Sequence, residues 1–248
     1  MLCEIPELFA QDEELEYLKE KASILKSWHL TVRQACDLDL ILNGAFYPLT
    51  GFLNKDEYNS VCENMCLTSG DLWPIPINLD VSENFADMVK PGEEIALRDQ
   101  EGVILAILTA EDIWSPDKAF EAENVFGSDN TEHPGVNYLK HKAGSVYVGG
   151  SVIGVNKPTF YDFKALRDTP NELRKKFNEL GWSRIVAFQT RNPLHRAHYE
   201  LTHRASEEFQ ANLLIHPVVG MTKPGDIDHF TRVRCYEAIL HQYPRSST

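Results

Sequence analysis

Residues 189–202 read QTRNPLHRAHYELT, directly behind the apolar run SRIVAF. The segment gathers an amide (Gln189), a hydroxyl (Thr190), Arg191, Asn192, Pro193 and two histidines, His195 and His198. Arg191 carries a planar fork that can grip a tetrahedral oxyanion through two hydrogen bonds. Gln189 and Thr190 add neutral donors beside it. His195 and His198 are three apart, so on a helix they share one face. No carboxylate lies between Gln189 and Tyr199, so nothing along the segment repels an anion. Such a set suits holding anions and neutralising charge that develops on them. A histidine pair at this spacing could also hold a metal, but no acidic third ligand is near in sequence, so no protein metal site is expected. The plain alternative is a strand-to-helix turn whose polar residues and histidines face solvent.

The elements around the segment must place it. SRIVAFQT (183–190) reads as a buried strand, and 192–209 as a helix with Asn192 as N-cap and Pro193 in the first helical position. A helix amino end has orphan N–H groups and the positive end of the dipole, and in open α/β folds ligands sit where strand carboxyl ends meet such helices. Leu194 and His195 would then offer backbone N–H groups to the ligand. ANLLIHPVVG (211–220) reads as a second strand and 229–243 as a second helix, while 170–181 reads as a helix closed by Gly181. Strand, helix, strand, helix is the grammar of a parallel α/β sheet. The loop VVGMTKPGDID (218–228) forms a second ligand-facing turn, with Lys223 as a mobile charge and Arg232 and Arg234 on the helix behind it. Its plain alternative is a Pro-Gly turn with a solvated lysine.

The rest of the chain has a different texture. Residues 11–27 and 31–42 carry helical spacing, the second stopped by Asn43-Gly44. From Trp73 onward, WPIPINLDV (73–81), EEIALRD (93–99), VILAILTAEDIW (103–114) and SVYVGGSVIGV (145–155) are short strand-like runs between turn residues. The expected organisation is a β-rich domain over 1–165 and an α/β domain over 166–248.

Composition bounds the function. The chain has 248 residues, 43% hydrophobic and 25% charged, which suits a soluble protein with a real core. The net charge of −13 argues against nucleic acid or an anionic membrane as a partner. The charge is uneven: residues 183–248 balance at +2, the preceding ones at −15, and six of the nine histidines follow residue 183. A small anionic ligand therefore favours the last quarter. The acidic start lacks the basic-then-apolar order of a secretory signal, and no run reaches the length of a membrane helix, so a cytoplasmic location is expected. Five scattered cysteines argue against a disulfide framework, and Cys62 and Cys66 lack a second pair at zinc-finger spacing.

Three blocks carry a family resemblance. QTRNPLHRAHYELT resembles the nucleotide-binding motif of ATP sulfurylases (sulfate adenylyltransferases) of the fungal and homo-oligomeric bacterial type, a variant of the HxxH signature of adenylyl-transferring α/β enzymes. VGMTKPGDIDHFTRVRCYEAIL (219–240) resembles that family's next block, and NGAFYPLTGFL (43–53) a block of its PUA-like amino-terminal domain. The resemblance implies a PUA-like β-rich domain followed by the first part of a Rossmann-like parallel α/β catalytic domain. It implies transfer of the adenylyl group of ATP to sulfate, giving adenosine 5′-phosphosulfate and pyrophosphate in sulfate assimilation. Thr190, Arg191 and Asn192 would be catalytic. Gln189 and Arg191 would bind sulfate. Arg191, Asn192, His195, His198 and Lys223 would bind ATP, with Mg²⁺ arriving on ATP. The full-length enzyme would be a homo-oligomer. The family continues into a GRDHAGPG-type loop and further strands that this sequence lacks. The expectation is a chain truncated at its carboxyl end, with only two strands after Ser183 and inactive alone. The competing expectations are a non-catalytic module that binds anion or nucleotide or serves assembly, and an adenylyltransferase with a different acceptor.

Overall fold

The computed structural model describes residues 3–219, 225–243 and the backbone of 246–247. The chain divides into two compact units, Ile5–Tyr161 and Asp162–Thr248, the latter taken together with the first four residues.

In the first unit the elements run α1 (Asp12–Ile24), β1 (Ser27–His29), α2 (Val32–Leu42), β2 (Gly51–Phe52), α3 (Lys55–Asn64), β3 (Leu79–Val81), α4 (Glu83–Ala86), β4 (Glu94–Arg98), β5 (Ile104–Trp114), α5 (Lys118–Phe126), α6 (Pro134–His141) and β6 (Val146–Gly154). One mixed sheet joins its strands in the order β1-β4-β5-β6-β2, with β3 also paired to β6. Only β1 with β4 is parallel; the other pairs are antiparallel. The three long sequence runs became β4, β5 and β6. WPIPINLDV is a strand only over Leu79–Val81, because Pro74 and Pro76 have no N–H to give a ladder. Gly149 and Gly150 sit within β6 for a steric reason: an added Cβ would lie 2.3 Å from the Leu53 carbonyl oxygen at Gly149 and 2.0 Å from that of Thr109 at Gly150. The unit is less β-dominated than its sequence suggests, since α3, α5 and α6 also belong to it.

Helix α2 starts as its sequence predicts. The Thr31 hydroxyl accepts the Gln34 N–H at 3.3 Å and the Gln34 side chain accepts the Thr31 N–H at 2.9 Å, a capping box. Leu38, Ile41 and Leu42 turn inward to join Leu79, Val81, Ile95, Leu97, Leu108 and Val148 in the main core. Arg33, beside that face, ties three elements together. It donates to Asp37 at 2.6 Å and to Tyr138 at 3.1 Å, and pairs with Asp80. Glu121 is buried (6% exposed) and accepts the hydroxyls of Tyr58 and Tyr147 at 3.0 and 2.9 Å. Burial pushes its carboxyl above the ordinary range, partly offset by the Tyr147 and Tyr58 hydroxyls.

The second unit runs α7 (Pro170–Glu179), β7 (Ile185–Thr190), α8 (Arg196–Glu208), β8 (Asn212–Pro217), α9 (His229–Ile239) and β9 (Ser246–Ser247). Thr169 and Glu172 form a capping box at the start of α7, and Gly181, at φ +69°, follows its end. The strands lie in the order β7-β8-β9 and both pairs are parallel. The expectation of two strands after Ser183 is therefore corrected: Ser246 and Ser247, too short and polar to read as a strand, pair with Leu213 and Leu214. Leu213, Ile215, Tyr236 and Tyr243 form the core, with Phe188, Leu194, Tyr199 and Ile239 packed around them. Both helices that follow the strands thus share one core with the sheet. Among the described residues no helix is long and apolar enough to cross a membrane.

Candidate active site

Helix α8 begins later than its sequence suggests. Its N-cap is His195 and its first helical residue is Arg196, not Asn192 and Pro193. The preceding residues form a turn with partners of its own. The Asn192 N–H donates to the Thr190 hydroxyl at 3.1 Å, and that hydroxyl lies 3.3 Å from the Asn192 carbonyl. Proline disfavours helical backbone at the residue before it, which also stops Asn192 from entering the helix. The expectation of a free His195 N–H is corrected as well: this N–H donates to Nδ1 of His198 at 3.3 Å.

That bond fixes the histidine pair. His195 and His198 occupy the N-cap and third helical positions, with ring centroids 5.4 Å apart. Since Nδ1 of His198 accepts, the proton of the neutral ring sits on Nε2, which leaves Nε2–H as a donor. The His198 ring is half-buried, 5.7 Å from Phe188, whereas His195 is exposed.

The turn itself sits at the carboxyl ends of two parallel strands. Thr190 lies opposite Pro217 in register, and the Val218 N–H donates to the Thr190 carbonyl at 2.9 Å. Thr190 is buried, while Gln189, Arg191 and Asn192 are exposed. Gln189 lies beside His216 on β8, an exposed residue to which the sequence alone gave no role. The structure thus gathers Gln189, Thr190, Arg191, Asn192, His195 and His198 at one sheet end. Lys223 lies outside the described residues.

The sequence placed Asp226 in the second loop and Arg232 on the helix behind it, but not their contacts with this turn, and it gave Tyr236 no role. Asp226 brings a carboxylate oxygen to 3.9 Å from Nη1 of Arg191, so the segment is acid-free along the chain but not in space. Arg232 and Tyr236, one turn apart on α9, donate to the next two carbonyls of the turn. Nη1 of Arg232 reaches the Arg191 oxygen at 2.5 Å, and the Tyr236 hydroxyl reaches the Asn192 oxygen at 2.5 Å. Arg232 is 3% exposed and Tyr236 fully buried. Burial raises the Tyr236 hydroxyl pKa, with the charge of Arg232 acting in the opposite sense. The only sequence signal for these two was their spacing of four on a predicted helix behind the second loop.

The comparisons with known proteins bear on this geometry. Residues 3–157 match the model of a PUA-like domain, and residues 164–248 match the ATP-sulfurylase model. The chain is 56% identical to a sulfate adenylyltransferase of Aspergillus fumigatus over 247 residues, covering 97% of this chain and 42% of that protein. It is 52% identical to the Saccharomyces cerevisiae sulfate adenylyltransferase over 243 residues, covering 97% and 47%. The chain belongs to the ATP-sulfurylase family. It spans about half the length of the curated relatives it matches. A solved structure titled a hexameric APS kinase from Thiobacillus denitrificans superposes with a TM-score of 0.78 at 35% identity, covering 98% of this chain and 45% of that one. For a family member, the PUA-like domain followed by parallel strands of an ATP-sulfurylase domain agrees with the fold read from the sequence.

Proposed function

We propose that the protein acts as an ATP sulfurylase. A sulfate oxygen attacks the α-phosphorus of ATP, the bond from that phosphorus to the bridging oxygen breaks, and adenosine 5′-phosphosulfate and pyrophosphate result. The observation that carries this reading is the turn at the carboxyl end of β7. It presents Arg191 and Asn192 outward next to the His195–His198 pair, while their carbonyls are tied down from behind.

Each residue has a task in this scheme. Gln189 and Arg191 hold sulfate. Thr190, Arg191 and Asn192 set the approach to the α-phosphorus. His195, His198 and Lys223, with Arg191 and Asn192, bind the ATP phosphates. The Nε2–H of His198 is suited to stabilise charge on the bridging oxygen as pyrophosphate leaves. Sulfate is fully ionised near neutrality, so no general base is required. The protein's work is to hold two anions together and neutralise the transition state. The donor set of this turn (amide, hydroxyl, guanidinium and imidazole) matches phosphate and sulfate oxygens rather than a hard cation. Mg²⁺ therefore enters as part of the MgATP substrate, held by phosphate and water.

On the same reading the PUA-like domain extends over about 1–165 and the catalytic domain begins near 166. The protein works in the cytoplasm and assembles as a homo-oligomer. The test is release of pyrophosphate, and formation of adenosine 5′-phosphosulfate, from ATP and sulfate by the full-length product of the gene. Release only with a different acceptor, or no release at all, would overturn the assignment.

A further inference from the structure

Arg232 is a buried cation without a carboxylate partner among the described residues, and its Nε has no hydrogen-bond partner there either. Buried charges are ordinarily paired, since an isolated one is costly. Its one hydrogen bond among those residues goes to a backbone carbonyl, that of Arg191. Tyr236 sits one helical turn further along α9 and gives its hydroxyl to the following carbonyl, that of Asn192. The third carbonyl of the turn, Thr190, is taken by the Val218 N–H. Three successive carbonyls are thus held from inside the fold, and the side chains of Arg191 and Asn192 are left on the exposed side.

We infer that Arg232 and Tyr236 are positioning residues for adenylyl transfer, locking the Arg191–Asn192 turn in the geometry that grips the two anions. The inference rests on the functional reading above. Residues at i and i+4 on a helix project side by side, which is the spacing needed to reach two consecutive carbonyls of a turn. The unpaired guanidinium has a second effect. It lies under the turn in a buried setting, so its positive charge is weakly screened and adds to the pull on an anion bound above. An anion bound by Arg191 would supply the counter-charge that the described residues do not give Arg232.

Full-length Tyr236→Phe, Arg232→Lys and Arg232→Met proteins test this, with turnover, KM values and melting temperature measured on the same samples. Phenylalanine keeps the ring in the core and removes only the hydroxyl. Displacing reacting groups by about 1 Å costs roughly a hundredfold in rate, so Tyr236→Phe is expected to lower kcat by about tenfold or more. Its KM for ATP should change less than its kcat. Arg232→Met should lose more and raise KM for sulfate, and Arg232→Lys, which keeps the charge and a donor, should recover part of the loss. Hydrogen exchange of the peptide spanning 188–196 should speed up in Tyr236→Phe without a matching drop in the melting temperature. A merely structural role predicts the reverse: a lower melting temperature with normal kcat below it, and no rescue by lysine over methionine. That result, or unchanged kcat and exchange in Tyr236→Phe, would overturn the inference while leaving the reaction assignment intact. An inactive wild type would instead overturn the reaction assignment, and the positioning role for that reaction with it. If Arg232→Met fails to fold, Tyr236→Phe alone decides.

Discussion

On the proposed reading His198 has two separable jobs, each with its own expected magnitude. Its Nδ1 accepts the His195 N–H at the start of α8, and its ring packs half-buried beside Phe188. Its Nε2–H is left to meet substrate. His198→Ala removes both. Losing one acceptor at a helix N-terminus costs about 1 kcal/mol, or a fall in melting temperature of roughly 2–8 °C across ordinary domain sizes. Losing a donor aimed at developing charge costs about 3 kcal/mol of transition-state stabilisation, roughly a hundredfold in kcat. His198→Gln separates the two. A glutamine in the third helical position can return its carbonyl oxygen to the N-cap N–H, as in a capping box, but it does not restore the imidazole Nε2–H. The expected pattern is a glutamine variant that melts like the wild type and still turns over slowly. Sulfate affinity should change little in either variant. The assay is pyrophosphate release at a temperature well below every melting point. Recovery of both stability and turnover by glutamine would refute the catalytic role and leave His198 as a helix cap.

Three further outcomes are expected. Arg191→Ala in the full-length protein should reduce turnover by at least about a hundredfold, since it removes the bidentate clamp, and Arg191→Lys should rescue poorly because an ammonium lacks the planar fork; near-normal rates in either would end the sulfate-binding role. Glu121→Gln should raise the melting temperature of the PUA-like domain at neutral pH. Burial holds the Glu121 carboxyl above its unfolded value, so wild-type stability is complete below about pH 4.3 and declines as pH rises through the folded value; the variant's advantage should vanish in acid, and a pH-independent difference would contradict this. Asp162 behaves in the opposite sense: hydrogen bonds from Arg167, then His229, hold its carboxyl below the usual range. Its contribution is present above about pH 3.9 and lost as pH falls through the folded value, so Asp162→Asn should melt lower at pH 7 and converge with the wild type in strong acid, as thermal melts across pH would show.

What the sequence made legible follows from how local each determinant is. Strands β4, β5 and β6 were readable because each is a run of apolar and β-branched residues ended by turn chemistry. The capping boxes of α2 and α7 involve residues only three apart, so their starts were readable too. The start of α8 was not. The local signals Asn192 and Pro193 favoured an early helix, but the Asn192 carbonyl that such a helix would use first accepts the Tyr236 hydroxyl, and the Arg191 carbonyl before it accepts from Arg232, 44 and 41 residues away. The same distance hid Asp226 from a reading that saw an acid-free segment. Helices α5 and α6 were overlooked because their caps, Asp117 and His133, sit among turn-like residues in a stretch read for strands, and α3, capped by Asn54, lies in a segment before Trp73 that received no element.

The correction at α8 changes the mechanism as well as the boundary. A helix beginning at Asn192 would have pointed its own orphan N–H groups at the substrate, and the dipole would have carried the anion binding. With the helix starting after His195, the N–H groups of Asn192 and His195 are spent on Thr190 and His198. On the proposed reading the side chains of Arg191 and Asn192 then carry more of the anion binding, and a side-chain clamp is only as good as the backbone that aims it. Arg191 and Asn192 lie on a turn that belongs to neither strand nor helix, where rotation of one peptide would swing both side chains away. The α9 donors remove that freedom: turning either carbonyl would leave a buried tyrosine hydroxyl or a buried guanidinium without its partner, at a cost of about 1–3 kcal/mol for a neutral group and more for a charged one. If the turn serves adenylyl transfer as proposed, by positioning rather than by acid–base chemistry, it needs such a constraint, and α9, the helix next along the chain, supplies the two donors that impose it.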